Sequence, residues 1–210
     1  MITLYGIATS RAFRCLWMLE EIGLEYAHQP LDFRGDDLRS EQYRAINPNA
    51  RVPTLQDGTL TLWESMAINL YLASRYGAEQ GLWPDSPQSQ GLAYQWSFWV
   101  MTEVEQPLLT VLMHKRVKPE AERDPQKVSR NEGILRKPFE TLDQALADRD
   151  YLVDGRFTVA DLNMAAVFSW CKPARVSLKE YPNLSAWLDR CLARPARKRA
   201  QVADQPKGPG

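Results

Sequence analysis

Histidine and cysteine are scarce in this 210-residue chain, which has two of the first and three of the second. His28 and His114 match no metal-ligand spacing, and no glycine-rich phosphate loop is present, so neither a metal nor a nucleotide cofactor is expected. Cys15, Cys171 and Cys191 are odd in number and far apart, which argues against a disulfide framework and suits a reducing compartment. Charge of one sign is also missing. The 26 basic and 26 acidic residues cancel, so no global field draws the protein to nucleic acid or to an anionic membrane. The first six residues, Met-Ile-Thr-Leu-Tyr-Gly, lack the basic and apolar regions of a signal peptide, and no later stretch approaches the ~20 apolar residues of a membrane span. The expectation is a cytoplasmic protein with no nucleic-acid and no membrane partner.

What the chain does have is 44% hydrophobic residues, enough to build a core for one large domain or two small ones. Residues 1–77 alternate β-like and helical runs. Residues 2–6 read as a strand, and from Ser10 to Gly23 the positions Ala12, Cys15, Leu16, Leu19 and Ile22 recur at helical spacing with glycine as terminator. A second strand follows at 26–31 and a short helix at 36–45. Asp57-Gly58 signals a hairpin between 54–56 and 59–62, and 65–76 reads as a helix. The order βαβ then αββα is that of a thioredoxin-like α/β domain.

Residues 78–86 read as a linker, with Ser86 as N-cap and Pro87 in the first turn of the next helix. Beyond it everything reads as helical, giving an all-α domain over 87–193. A long helix is expected to reach about Lys115 with a kink at Pro107, followed by helices at 125–147, from Thr158, and at 184–193. Thr158 and Asp161 have capping-box spacing, which makes Asp161 structural. Arg194, Arg197, Lys198 and Arg199 lie near a Gly/Pro-rich end, so 194–210 is expected to be a solvated, flexible tail rather than a binding patch.

One segment carries chemistry. The run Asn47-Pro48-Asn49-Ala50-Arg51-Val52-Pro53-Thr54-Leu55 puts a proline where a strand should begin, a place proline occupies only at an edge, a strand start or a bulge. With a cis Val52–Pro53 bond, the Val52 N–H and C=O point outward and pair with an extended peptide, as in strand addition. Further on, Glu64 and Ser65 open a helix whose free amides suit a carboxylate, while Glu64 suits an ammonium. Together they fit a peptide with a zwitterionic amino-acid head.

That layout resembles the glutathione-binding half of the cytosolic glutathione transferases, in which a cis-proline loop and a Glu/Gln-Ser pair hold the tripeptide. Leu4-Tyr5-Gly6 followed by Ser10 looks like the family's first strand and active hydroxyl. Phe157-Thr158-Val159-Ala160-Asp161, and Pro182-Asn183-Leu184 with Trp187, resemble its helical domain. The resemblance spans most of the chain. It implies a homodimeric transferase, active in detoxification, that attacks a small hydrophobic electrophile with bound glutathione as co-substrate. It assigns glutathione contacts to Arg51, Val52, Pro53, Glu64 and Ser65, with Arg51 toward the glycine carboxylate, and thiolate stabilisation to Ser10.

Each assignment has a plainer reading. Ser10 also suits the N-cap of the first helix, and Thr9 is an adjacent hydroxyl that serves as well. Arg51 reads equally as an exposed loop charge, and Arg11 and Arg14, which would add positive potential to the site, as helix arginines facing water. Cys15, a turn inside its helix on the apolar face, reads as an inert buried thiol. Trp99 and Met113 fit either core packing or an apolar pocket for the electrophile. Two rival functions remain: a silent glutathione-transferase-like binder, and a glutathione-dependent disulfide reductase.

Overall fold

The structure, a computed structural model, describes residues 1–205. It divides into two units, one formed by Met1–Trp83 together with the chain from Ala193 onward, the other by Pro84–Leu192. The first unit is built on four strands, β1 (Ile2–Tyr5), β2 (Tyr26–Gln29), β3 (Thr54–Asp57) and β4 (Leu60–Trp63), in the order β2-β1-β3-β4. β1 runs parallel to β2 and antiparallel to β3, and β3 pairs with β4 across a turn in which Gly58 adopts a φ of 59°.

Between β1 and β2 lies α1 (Ala12–Ile22), closed by a left-handed Gly23 whose amide donates to the Leu19 carbonyl. The expected short helix before the proline loop is two pieces, a single 3₁₀ turn at Asp36–Arg39 and α2 (Glu41–Ile46). Ser40 separates them, accepting from the Tyr43 amide as the N-cap of α2. α3 (Ser65–Tyr76) packs against α1, and Leu4, Leu16, Leu19, Leu55, Ile68 and Leu72 are buried in the core of this unit.

In the second unit, α4 (Pro87–Trp99) starts on the Ser86 cap. It continues through a π-helical stretch, Val100–Glu105, into α5 (Gln106–Leu112) and a second π-helical stretch, Met113–Val117. The irregularity expected at Pro107 is thus a widened turn just before it, as expected where an imide cannot donate to the carbonyl one turn back. α6 (Pro125–Ala145), α7 (Val159–Phe168), the short α8 (Cys171–Ala174) and α9 (Pro182–Leu192) complete the unit. Every residue of α7 is buried. The expected capping box is present, with Asp161 Oδ2 accepting from the Thr158 amide at 3.0 Å. Asp161 Oδ1 accepts from the Leu152 amide and from Trp187 Nε1, both at 2.9 Å, so one carboxylate ties α7 to α9 and to the preceding loop.

The C-terminal segment is not the flexible tail expected from residue 194. Pro195–Gln201 forms a helix, α10, packed on α1 with Ala196 and Ala200 buried. Three arginines hold it: Arg194 binds Glu21 through two bonds of 2.7 and 2.8 Å, Arg199 binds Glu20 at 2.7 Å, and the Arg197 guanidinium lies over the Phe13 ring. Of the segment expected as tail, residues 206–210 lie outside the described residues. No helix among the described residues is long and apolar enough to cross a membrane.

Candidate functional site

The site is organised by a close approach that only glycine allows. Gly6, at the end of β1, has a φ of 124°, and a Cβ there would lie 2.7 Å from the Ala12 Cβ and 2.8 Å from the Val52 Cβ. Its hydrogen lets the turn between β1 and α1 lie directly against the proline loop. Within that turn Ser10 Oγ donates to the Ile7 carbonyl at 2.7 Å and accepts from the Ala12 amide at 3.1 Å. The cap position of α1 is Arg11, which makes no side-chain cap bond, so Ser10 stands one residue ahead of the cap with its hydroxyl bonded within the turn. Thr9 beside it is exposed, and among the described residues its hydroxyl bonds to none.

The proline loop is anchored from beneath. Asn47 and Tyr43 are buried, and each donates to the Arg51 carbonyl, at 2.8 and 2.7 Å, while both also bond Thr54 Oγ1. The Val52–Pro53 peptide is cis. Among the described residues none hydrogen-bonds the Val52 N–H or C=O, leaving a donor and an acceptor for an extended peptide. The Arg51 side chain is exposed at the rim.

At the start of α3, Glu64 is exposed and holds a φ of 75°, a conformation that L-residues other than Asn and Asp seldom adopt. Such outliers cost about 1–3 kcal/mol and cluster at ligand-binding positions. Ser65 follows, 3% exposed, and accepts at Oγ from Arg14 Nη1 at 3.2 Å. Its own hydroxyl proton remains for a ligand. Arg14 was expected to face water. Instead it is 1% exposed, because α1 is packed between the sheet, α3 and α10 and has almost no free face. The amides opening α3 offer positive potential where a carboxylate would sit, and Arg14 holds the Ser65 hydroxyl beside them.

Cys15 lies fully inside. Its thiol donates to the Ser65 carbonyl at 3.7 Å, and burial pushes its pKa far above the ordinary thiol value, so it is no nucleophile at neutral pH. In the helical unit Trp99 is half-buried with its ring edge against Trp96, and Met113 is half-buried where the second π-helical stretch begins. A surface cavity of about 340 Å³ in that unit lies around Asp148, Arg149, Asn183 and Arg190, and is lined by neither.

The segments expected to form one site, residues 9–10, 51–53 and 64–65, are joined by the Gly6–Val52 approach and the Arg14–Ser65 bond. Asn47 and Tyr43 were missed, and Arg14 was weighed only as added positive potential against a place in water. Local pattern offered only a weak signal for them: an arginine one turn from the helix start, and an asparagine before proline.

Comparison with known proteins agrees with this geometry. Residues 1–74 match the profile of the glutathione S-transferase N-terminal domain and residues 100–195 that of the C-terminal domain. The chain is 32% identical to glutathione S-transferase 2 of Schizosaccharomyces pombe, with 93% of each chain covered. It is likewise 32% identical to a probable glutathione S-transferase of rice, with 97% of each covered. Among solved structures it resembles the glutathione-bound theta-class glutathione S-transferase of Xanthomonas axonopodis pv. citri, at a TM-score of 0.86 and 33% identity, over 96% of this chain and 97% of that one. Ure2p in complex with glutathione resembles it at a TM-score of 0.84 and 27% identity, over 95% and 93%. With both domains matched in order along one chain, the protein belongs to the glutathione S-transferase family.

Proposed function

We propose that residues 51–53 and 64–65 bind glutathione and that Ser10 donates a hydrogen bond to its sulfur, so that the thiolate attacks a small apolar electrophile. The observation that carries this reading is the convergence of the Val52 backbone groups, the Glu64 and Ser65 head-group site and the turn bearing Ser10. Glutathione is extended, zwitterionic at one end and anionic at the other, and these groups complement it in that order. Arg51 faces the glycine carboxylate, Val52 pairs with the central backbone, and Glu64 and Ser65 hold the γ-glutamyl head. Glutathione-bound relatives of the same fold support the ligand. Trp99 and Met113 belong to the apolar electrophile site in this reading, the protein acts in the cytoplasm, and it pairs as a homodimer. Exposed Trp63 in one unit, and exposed Tyr94 and Phe98 in the other, supply apolar surface for that pairing.

The chemistry requires a thiolate, and a free thiol has a pKa near ~8.5. A hydroxyl donating to the anionic sulfur contributes about 1.5–3 kcal/mol, against about 0.5–1.5 for a neutral bond. Ser10 has one proton, which rests on the Ile7 carbonyl. Transferring it to the sulfur therefore nets about 1–1.5 kcal/mol, or roughly one pKa unit. A helix N-terminus adds about 0.3–1 kcal/mol. The thiolate then predominates near neutral pH.

A second reading, the silent binder, is favoured by one observation: the Ser10 proton already has a partner. The disulfide-reductase reading fits poorly, because the cysteine of α1 is buried and its thiol pKa raised. Retention on immobilised glutathione followed by an electrophile panel separates conjugation from silent binding. Thiol titrations of bound glutathione in Ser10→Ala and Thr9→Ala assign the hydroxyl: a pKa raised only in Thr9→Ala moves the role to Thr9.

A further inference from the structure

We propose that Asp204 is a positioning residue for Ser10, acting through the single peptide group that joins Ile7 to Ala8; this rests on Ser10 being the thiolate donor. The Ala8 N–H donates to Asp204 Oδ2 at 2.7 Å, and the Ile7 C=O accepts from Ser10 Oγ at 2.7 Å and from the Ser10 amide at 3.0 Å. The N–H of Ala8 and the C=O of Ile7 belong to one planar unit. Fixing the N–H on a carboxylate fixes where the carbonyl points, and with it where the Ser10 hydroxyl rests.

The rest of the turn is held from the same side. The Gly6 amide donates to the Gln29 carbonyl at 2.9 Å, and His28 Nε2 donates to the Gly6 carbonyl at 2.8 Å. Asp204 Oδ1 lies 3.6 Å from that same nitrogen. Ser10 Oγ is tied from the other side by the Ala12 amide. Asp204 reaches the turn because α10 is seated on α1 through the Glu20 and Glu21 pairs, so a residue 196 positions downstream of Ala8 closes the frame around Ser10. The C-terminal segment thereby becomes part of the active-site support, holding the hydroxyl one bond away from the sulfur.

The test compares Asp204→Ala and Asp204→Asn with wild type and Ser10→Ala, reading the pKa of bound glutathione by thiolate absorbance alongside kcat and KM for glutathione. Asparagine keeps a neutral acceptor for the Ala8 N–H and alanine does not. The expected result for Asp204→Ala is a thiol pKa raised by about half a unit, a several-fold fall in kcat and an unchanged KM for glutathione. Asp204→Asn should restore most of both, and Asp204→Ala should add nothing in the Ser10→Ala background. If Ser10→Ala moves the pKa and Asp204→Ala does not, or if alanine and asparagine act alike, the positioning role is overturned while the Ser10 assignment stands. If Ser10→Ala itself leaves the pKa unmoved, both fall.

Discussion

In the proposed glutathione site, Glu64 supplies an exposed anion to the γ-glutamyl head and the buried Arg14 holds Ser65 beside it. Glu64→Ala removes the partner of the ammonium from an exposed position, so glutathione affinity should fall several-fold in calorimetry while thermal unfolding stays close to wild type; unchanged affinity removes Glu64 from the site. Arg14→Met fills a similar volume but drops the bond to Ser65 Oγ and the buried positive charge. Its expected effect is a loss of glutathione affinity of about tenfold, because Ser65 Oγ loses the charge-assisted bond that orients it. Equal binding by wild type and Arg14→Met would make that arginine a packing residue only. These two residues also mark what could be read from sequence alone. Pro53, Glu64 and Ser65 announce themselves because a proline at a strand start and a charged residue opening a helix are local signals. Arg14 does not, since its burial depends on α3 and α10 covering a helix face that periodicity treats as free.

The helices show the same division between near and distant causes. Thr158 and Asp161 are legible because a capping box is written within four residues, whereas α10 was misread because the partners of its arginines, Glu20 and Glu21, lie more than 170 residues earlier. Asp161 goes beyond its cap, accepting from Leu152, Thr158 and Trp187. Asp161→Ala would strand three buried N–H donors at about 1–3 kcal/mol each, so unfolding by urea should show a loss of several kcal/mol. Burial pushes the Asp161 carboxyl up to about 6, its donors pulling the other way. The unfolded value is about 3.9. A folded pKa above the unfolded one means that this group's stabilisation is complete below about pH 4 and is lost as pH rises through about 6. The stability difference between wild type and Asp161→Asn, which cannot titrate, should therefore shrink from pH 4 to 6 and stay flat above. A difference that grows over that range would place the folded pKa below the unfolded one.

At the scale of the whole chain, the described residues from Ala193 onward return to the β-containing unit. The Arg194–Glu21 pair is the strongest sign of that closure, since Glu21 has only 6% of its side chain exposed. Arg194→Ala leaves that carboxylate without its bidentate partner and should cost about 1.5–3 kcal/mol in urea unfolding; a loss under half a kcal/mol would mean that α10 stays seated by its apolar contacts alone. The two-unit plan itself was legible from the change in pattern near residue 80, because strand alternation and helical periodicity differ along the chain whatever the tertiary contacts. The proposed conjugation rests on the state of one sulfur. Ultraviolet titration of glutathione bound to the wild-type protein reads that state directly. Activation by the turn between β1 and α1 predicts a bound thiol pKa at least about one unit below the ~8.5 of a free thiol, and a bound thiol that titrates at ~8.5 would contradict it.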